Sequence, residues 1–197
     1  MTGTGRLAPP LGEADVRALR AGDVVTLDGI VYGLRDATLI RMFDQGVPPP
    51  ADLAGAAVLH TAPNVTRTPD GGYAPLSVGT TTSMRMDRFT EPLLARHGVR
   101  AIIGKGGLSG SSLAAFSRYG GAYLAITGGA AALETTQIEA VEAVWWEDLM
   151  PECLWRFRVR GLGPLIVGMD AHGGDLYADV LAEAKRRLAG IHAKLGL

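Results

Sequence analysis

The strongest constraint on this chain is the alternation of short apolar runs with helical patterns. Ala56–His60, Arg100–Ile103 and Ala122–Ile126 are compact apolar segments that run into glycine or polar turns. They are too short for helices and read as strands. Between them lie stretches with helical spacing. Arg35–Phe43 places Ala37, Leu39, Ile40 and Phe43 on one side and is stopped by Pro48-Pro49-Pro50. Met84–His97 does the same with Met86, Phe89, Leu93 and Leu94. Ser109–Tyr119 opens on a serine suited to an N-cap. Strands and helices interleaved over the whole length define an α/β class.

The remaining segments fit that frame. Asp15–Leu19 is a short helix. Asp23–Leu27 and Ile30–Tyr32 flank Asp28-Gly29 and read as a hairpin. Thr61–Tyr73 is a polar, Pro/Gly-rich connection. Ala130–Thr135 is a small-residue helix. Ala140–Trp146, Trp155–Val159 and Leu165–Met169 read as three further strands. The last helix, Leu176–Leu195, carries Tyr177, Leu181, Ala184, Leu188, Ile191 and Leu195 at spacings of four and three, a single apolar stripe. The apolar faces that look surplus in a chain of this size are expected to be covered by other subunits. Residues 1–12 read as a flexible Gly/Pro arm without the pattern of a signal peptide, and residues 13–197 as one domain.

Charge and cysteine content narrow the function. Nineteen basic and twenty acidic residues give a net charge of −1, which argues against a nucleic-acid-binding face. No run reaches the ~18 apolar residues of a membrane span. The single cysteine, Cys153, cannot build a disulfide, zinc or iron–sulfur site within the chain, and it fits a cytoplasmic location. The four histidines form no metal-binding pattern, so no metal ligands are assigned to this chain.

Three motifs begin and fail. Gly104-Lys105 lacks the spacing and the Ser/Thr of a phosphate loop. The dinucleotide fingerprint has Ser109 in place of its third glycine. Gly107-Leu108-Ser109-Gly110-Ser111 ends in serine where a nucleophile elbow needs glycine. What remains is a set of cations at element ends. Arg35 opens a helix after a strand, Arg85 follows the turn Thr80-Thr81-Thr82, and Lys105 sits among glycines after another strand. Singly, a helix-opening Arg is a solvated or capping side chain, and a Thr run is a turn with capping hydroxyls. Together, two Arg and one Lys suit a small dicarboxylate, because a guanidinium holds a carboxylate through two parallel hydrogen bonds.

The order of these motifs resembles a known family. Gly22–Val25 with Leu27-Asp28-Gly29 and Arg35-Asp36 opens it. Ser77–Met86, Ile103–Gly107, Pro151-Glu152, Leu154-Trp155, Gly163–Val167 and His172-Gly173 follow in sequence. Over roughly residues 12–185 this is similar to the iron–sulfur-dependent hydro-lyases comprising the L(+)-tartrate dehydratase beta subunits and the C-terminal domain of class I fumarases.

The resemblance implies a swivelling β/β/α domain. It implies a reversible dehydration of a hydroxy-dicarboxylate, of the tartrate-to-oxaloacetate or malate-to-fumarate type. It also implies a separate alpha subunit carrying a four-iron four-sulfur (4Fe-4S) cluster, in a heterotetramer of two alpha and two beta chains. Carried over residue by residue, Thr81 is the base and Lys105 the catalytic cation. Arg35, Arg85, Thr82, Gly104 and Gly106 bind substrate. Three positions depart from the family pattern: Leu39 replaces a histidine, Ala62 a glycine, and Thr80 a proline. The last is expected to loosen the turn that presents Thr81. A non-catalytic dicarboxylate-binding or regulatory domain is the alternative reading.

Overall fold

A computed structural model describes residues 4–129 and 131–196. In chain order the elements are β1 (Thr4–Leu7), α1 (Glu13–Arg17), β2 (Val24–Leu34), α2 (Asp36–Phe43), β3 (Ala57–His60), β4 (Asn64–Arg67) and β5 (Tyr73–Ser77). A 3-10 helix, Ser83–Phe89, leads into α3 (Thr90–His97). Then come β6 (Ala101–Gly104), α4 (Gly110–Tyr119), β7 (Ala122–Ala125), α5 (Ala131–Thr136), β8 (Ile138–Trp145), β9 (Leu154–Met169) and α6 (Leu176–Leu195).

β2, β3, β6 and β7 pair in parallel, in that order. β9 runs antiparallel to β7 near its C-terminal end and antiparallel to β2 over most of its length, so the sheet closes back on itself. β1 adds to the outer end of β2, and β8 adds to β9. The outcome is two β layers with helices outside the parallel one, a β/β/α arrangement in an α/β chain.

Side-chain alternation explains the layering. Successive residues of a strand point to opposite faces. Ala57 and Leu59, Ala101 and Ile103, and Ala122 and Leu124 fill the core between the β layers, with Trp155, Phe157, Leu165 and Val167 from β9. Their neighbours Val58, Ile102 and Tyr123 point the other way and meet Leu39 and Met42 of α2, Leu93 and Leu94 of α3 and Phe116 of α4. Burying each large side chain contributes roughly 1.5–3 kcal/mol, so both faces of these short strands are committed.

The structure differs from the sequence reading in several places. Met84–His97 is not one helix but the 3-10 helix Ser83–Phe89 followed by α3. Asp28-Gly29 does not turn a hairpin. β2 is one strand whose pairing with β9 shifts register around Leu27 and Gly29. Gly29 takes φ +104°, and the Asp28 carboxylate accepts the Gly161 N–H at 2.9 Å. A bulge thus consumes the residues that resemble a turn. The runs Trp155–Val159 and Leu165–Met169 are likewise one strand, β9, bent at Gly161 and Gly163, both at positive φ. The polar stretch after β3 contains the strand β4, which pairs with β5, and β5 begins at the last residue of that stretch, Tyr73. In the first twelve residues, the described part is no loose arm: β1 pairs with β2, and Leu7 and Leu11 are buried in the inter-sheet core. Residues 1–3 lie outside the described chain.

Candidate functional site at the ends of the parallel strands

In a parallel sheet, ligands bind beyond the carboxyl ends of the strands. Three cations stand at such ends here. Arg35 follows β2 as the N-cap residue of α2. Lys105 follows β6. Arg85 lies in the 3-10 helix that begins after the threonine turn, and this turn is tied to the end of β3. Thr81 N–H donates to the His60 carbonyl at 2.8 Å, and Thr61 and Thr80 form an antiparallel bridge.

Carboxylates hold the two arginines in place. Arg35 Nε lies 3.1 Å from Asp36 Oδ2 and 3.1 Å from Glu152 Oε1, and Arg85 Nη2 lies 3.1 Å from the same Asp36 oxygen. Burial pushes the Asp36 carboxyl up, but the Arg35 hydrogen bond and the Arg85 charge outweigh it and hold it below its usual range. Glu152 also accepts the Ala37 N–H at 2.8 Å, which fixes the start of α2. Arg85 Nη2 donates to Thr81 Oγ1 at 3.3 Å. Lys105 joins through the backbone: it bridges Thr82 in parallel, and its carbonyl accepts the Ser83 N–H at 2.9 Å. Arg35, Thr81, Thr82, Arg85 and Lys105, with Gly104 and Gly106 beside the lysine, thus form one connected rim.

Below the rim is a buried polar layer. His60 Nδ1 and Ser83 Oγ are 2.9 Å apart, and Tyr123 donates its hydroxyl to the same Oγ at 3.1 Å. Burial lowers the His60 pKa to about 4, so the ring is neutral, and its Nε2 has no hydrogen-bond partner among the described residues. Burial pushes the Tyr123 phenol upward. Gly104 closes over this layer: a Cβ there would lie 1.9 Å from Ser83 Oγ and 3.2 Å from the Tyr123 oxygen. Gly104→Ala is therefore expected to cost about 2–4 kcal/mol, through overpacking and loss of the Ser83 bonds. Gly106→Ala, whose nearest neighbour is 3.6 Å away, pays only for its φ of +83°, about 1 kcal/mol. Denaturant titration of both variants checks this, and equal midpoints would mean that Ser83 swings aside without cost.

The departures from the family pattern have clear places. Leu39 is fully buried in the helix-side core, so it serves packing. The turn at Thr80 is tied by hydrogen bonds where a ring would have stiffened it: Thr80 Oγ1 donates to the His60 carbonyl at 3.2 Å, and Thr61 Oγ1 donates to the Gly79 carbonyl at 2.8 Å. Ser109, from the failed elbow, caps α4, and its hydroxyl donates to Asp87 at 2.6 Å.

Glu134 was not singled out in the sequence. It sits on α5, which braces the threonine turn through the bond from Val78 N–H to Thr135 Oγ1 at 2.8 Å. Glu134 is 2% exposed, and neither carboxyl oxygen has a partner of hydrogen-bond geometry among the described residues. Burial raises its pKa, against the opposing influence of the Thr80 backbone and the Lys105 charge. Only the fold brings it to Lys105, so an Ala/Thr-rich helical stretch carries no local signal of it.

Cys153 is buried, its thiol donates to Met150 Sδ at 3.2 Å, and burial pushes its pKa up to about 11. No group of three or more His, Cys, Asp or Glu among the described residues could hold a metal ion. No described helix is long and apolar enough to cross a membrane.

The chain is thus an α/β domain of β/β/α arrangement, with cations and a hydroxyl gathered at the carboxyl ends of its parallel strands. The chain belongs to the family described as Fumarase C-terminus, which its residues 6–180 match. It is 37% identical to the L(+)-tartrate dehydratase subunit beta of Escherichia coli K12 over 174 residues, 88% of this chain and 86% of that protein. It is 36% identical over 183 residues to the "Putative L(+)-tartrate dehydratase subunit beta" of Methanocaldococcus jannaschii, covering 90% and 93% of the two chains. It is also 35% identical over 187 residues to the "Putative fumarate hydratase class I" of Geobacillus stearothermophilus, covering 93% of this chain but 35% of that protein.

Proposed function

We propose that this chain is the beta subunit of a two-subunit hydro-lyase that dehydrates a small hydroxy-dicarboxylate. The observation that carries this reading is the rim itself, in a chain of this family: Arg85 donates to the Thr81 hydroxyl and shares Asp36 with Arg35, and Lys105 bridges Thr82 through its backbone.

The chemistry follows from the charges. Arg35 and Arg85 bind the substrate carboxylates, with Lys105 adding positive charge and Thr82, Gly104 and Gly106 shaping the approach. Thr81 takes the proton from the carbon next to a carboxylate. A hydroxyl is a weak base, and the N–H that Arg85 donates to Thr81 Oγ1 favours its deprotonated form. Removal of the carbon-bound proton builds negative charge on the adjoining carboxylate, which the fixed cations stabilise more than the ground state. The substrate hydroxyl leaves from the neighbouring carbon, so proton and hydroxide together make water. Lewis acidity for that departure would come from a 4Fe-4S cluster when one is bound on the alpha subunit.

Glu134 tunes this rim. While its carboxyl is protonated, the positive charge of Lys105 is not offset. Ionisation at higher pH cancels part of that charge and weakens dianion binding. KM is therefore expected to rise with pH in the wild type and to stay flatter in Glu134→Gln. Stability follows the same sign. A carboxyl whose folded pKa is raised contributes stability at low pH and loses it as pH rises through the folded value. The Tm advantage of Glu134→Gln should thus grow from pH 4 to pH 8. Parallel KM and Tm profiles for the two proteins would remove Glu134 from this role.

The test of the function is anaerobic co-expression with the alpha subunit, followed by a screen of tartrate, malate and related hydroxy-diacids. A cluster-loaded complex that dehydrates none of them refutes the reading. Tight dicarboxylate binding by the chain alone, with no partner recovered, selects the non-catalytic alternative.

A further inference from the structure

α6 is twenty residues long, about 30 Å of helix, but it meets the rest of the fold only over its first turns, where Val180, Leu181 and Ala184 share an apolar cleft with Ala125, Ile166 and Gly168. There, a Cβ at Gly107 or Gly168 would come within 3.1 Å of the Tyr177 ring. The apolar stripe is nonetheless open: Leu181, at the edge of that cleft, is 55% exposed, and past it Leu188 is 47%, Ile191 47% and Leu195 67% exposed. The spacing from Tyr177 through Leu181, Ala184, Leu188 and Ile191 to Leu195 alternates four and three without a break. That is the narrow a/d seam of a coiled coil. The family match ends at residue 180, so most of the seam lies beyond it.

The flanks of the seam identify its occupant. With Leu181 and Leu188 at a, the e and g positions from 185 onward are Lys185, Arg187, His192 and Lys194, with no acid among them. The acids of the helix, Asp179 and Glu183, fall on outer positions, and Glu183 is occupied by Arg186 and Arg187. Lys185 and Lys194 are in no ion pair among the described residues. A second copy of α6, in either orientation, would set cations against cations across the seam, which disfavours self-pairing.

We infer that α6 docks an amphipathic helix of a different protein chain, one with a matching apolar seam and Glu or Asp at its own flanking positions. This inference does not depend on the hydro-lyase reading. The probe is a synthetic three-heptad peptide with Leu at a and d and Glu at e and g, titrated into the full chain. A second peptide carries Lys at e and g. The Glu peptide is expected to bind at least about tenfold more tightly, with the difference shrinking as salt rises. Leu188→Glu, an exposed change checked by circular dichroism, should abolish binding. The triple variant Lys185→Glu/Arg187→Glu/Lys194→Glu should reverse the preference between the peptides. Equal binding of both peptides, or of neither, overturns the inference. So does self-association of the chain alone that Leu188→Glu abolishes, which would assign the seam to a second copy.

Discussion

Arg85→Ala is expected to lower kcat/KM by about three orders of magnitude in the co-purified complex. Its guanidinium shares the Asp36 carboxylate with Arg35, and it donates to Thr81 Oγ1 at 3.3 Å, a contact Arg35 does not make. Losing it removes a charge-assisted grip on a substrate carboxylate and the donor that favours proton loss from Thr81, and both effects grow in the transition state. Stability should change little. The side chain is 51% exposed, and ion pairs at that exposure contribute about 0–1 kcal/mol. Steady-state kinetics beside a thermal melt separate the two effects. A rate within threefold of wild type would take Arg85 out of the site.

Thr81→Ala should cost a similar factor, but almost entirely in kcat. The hydroxyl touches the proton that moves and not the charges that bind, so KM should stay within a few-fold. Thr81→Ser keeps the oxygen and should recover most of the rate. Solvent deuterium exchange into the substrate carbon is the direct readout, lost in the alanine variant and retained in the serine one. Exchange that persists in Thr81→Ala would assign the proton to another group.

The parallel strands were legible because each is apolar on both faces: Ala57–Leu59, Ala101–Ile103 and Ala122–Leu124 read as strands wherever their neighbours lie. β4 was not. Its four residues are mostly exposed, and Thr66 and Arg67 have the polarity of a loop. Asp28-Gly29 misled because a bulge and a two-residue turn demand the same residues, and only the presence of β9 beside β2 decides between them. The rim divides the same way. The family resemblance named Arg35, Thr81, Arg85 and Lys105. It quoted Asp36 and Glu152 within its motifs, without their work of holding the arginines. The approach of Glu134 to Lys105 is a consequence of packing, and no local pattern encodes it.

The double burial of β3, β6 and β7 bears on how such a chain can diverge. Adding or deleting one residue within any of them would exchange the contents of two interiors at once, sending Ile102 inward between the β layers and Ala101 and Ile103 out against the helices. Length changes are therefore excluded from these strands and confined to the connections and the two chain ends. Substrate preference can drift in the turns while the strands beneath them keep their frame. α6, tied down only near its start, is the segment freest to acquire a new attachment without disturbing either interior.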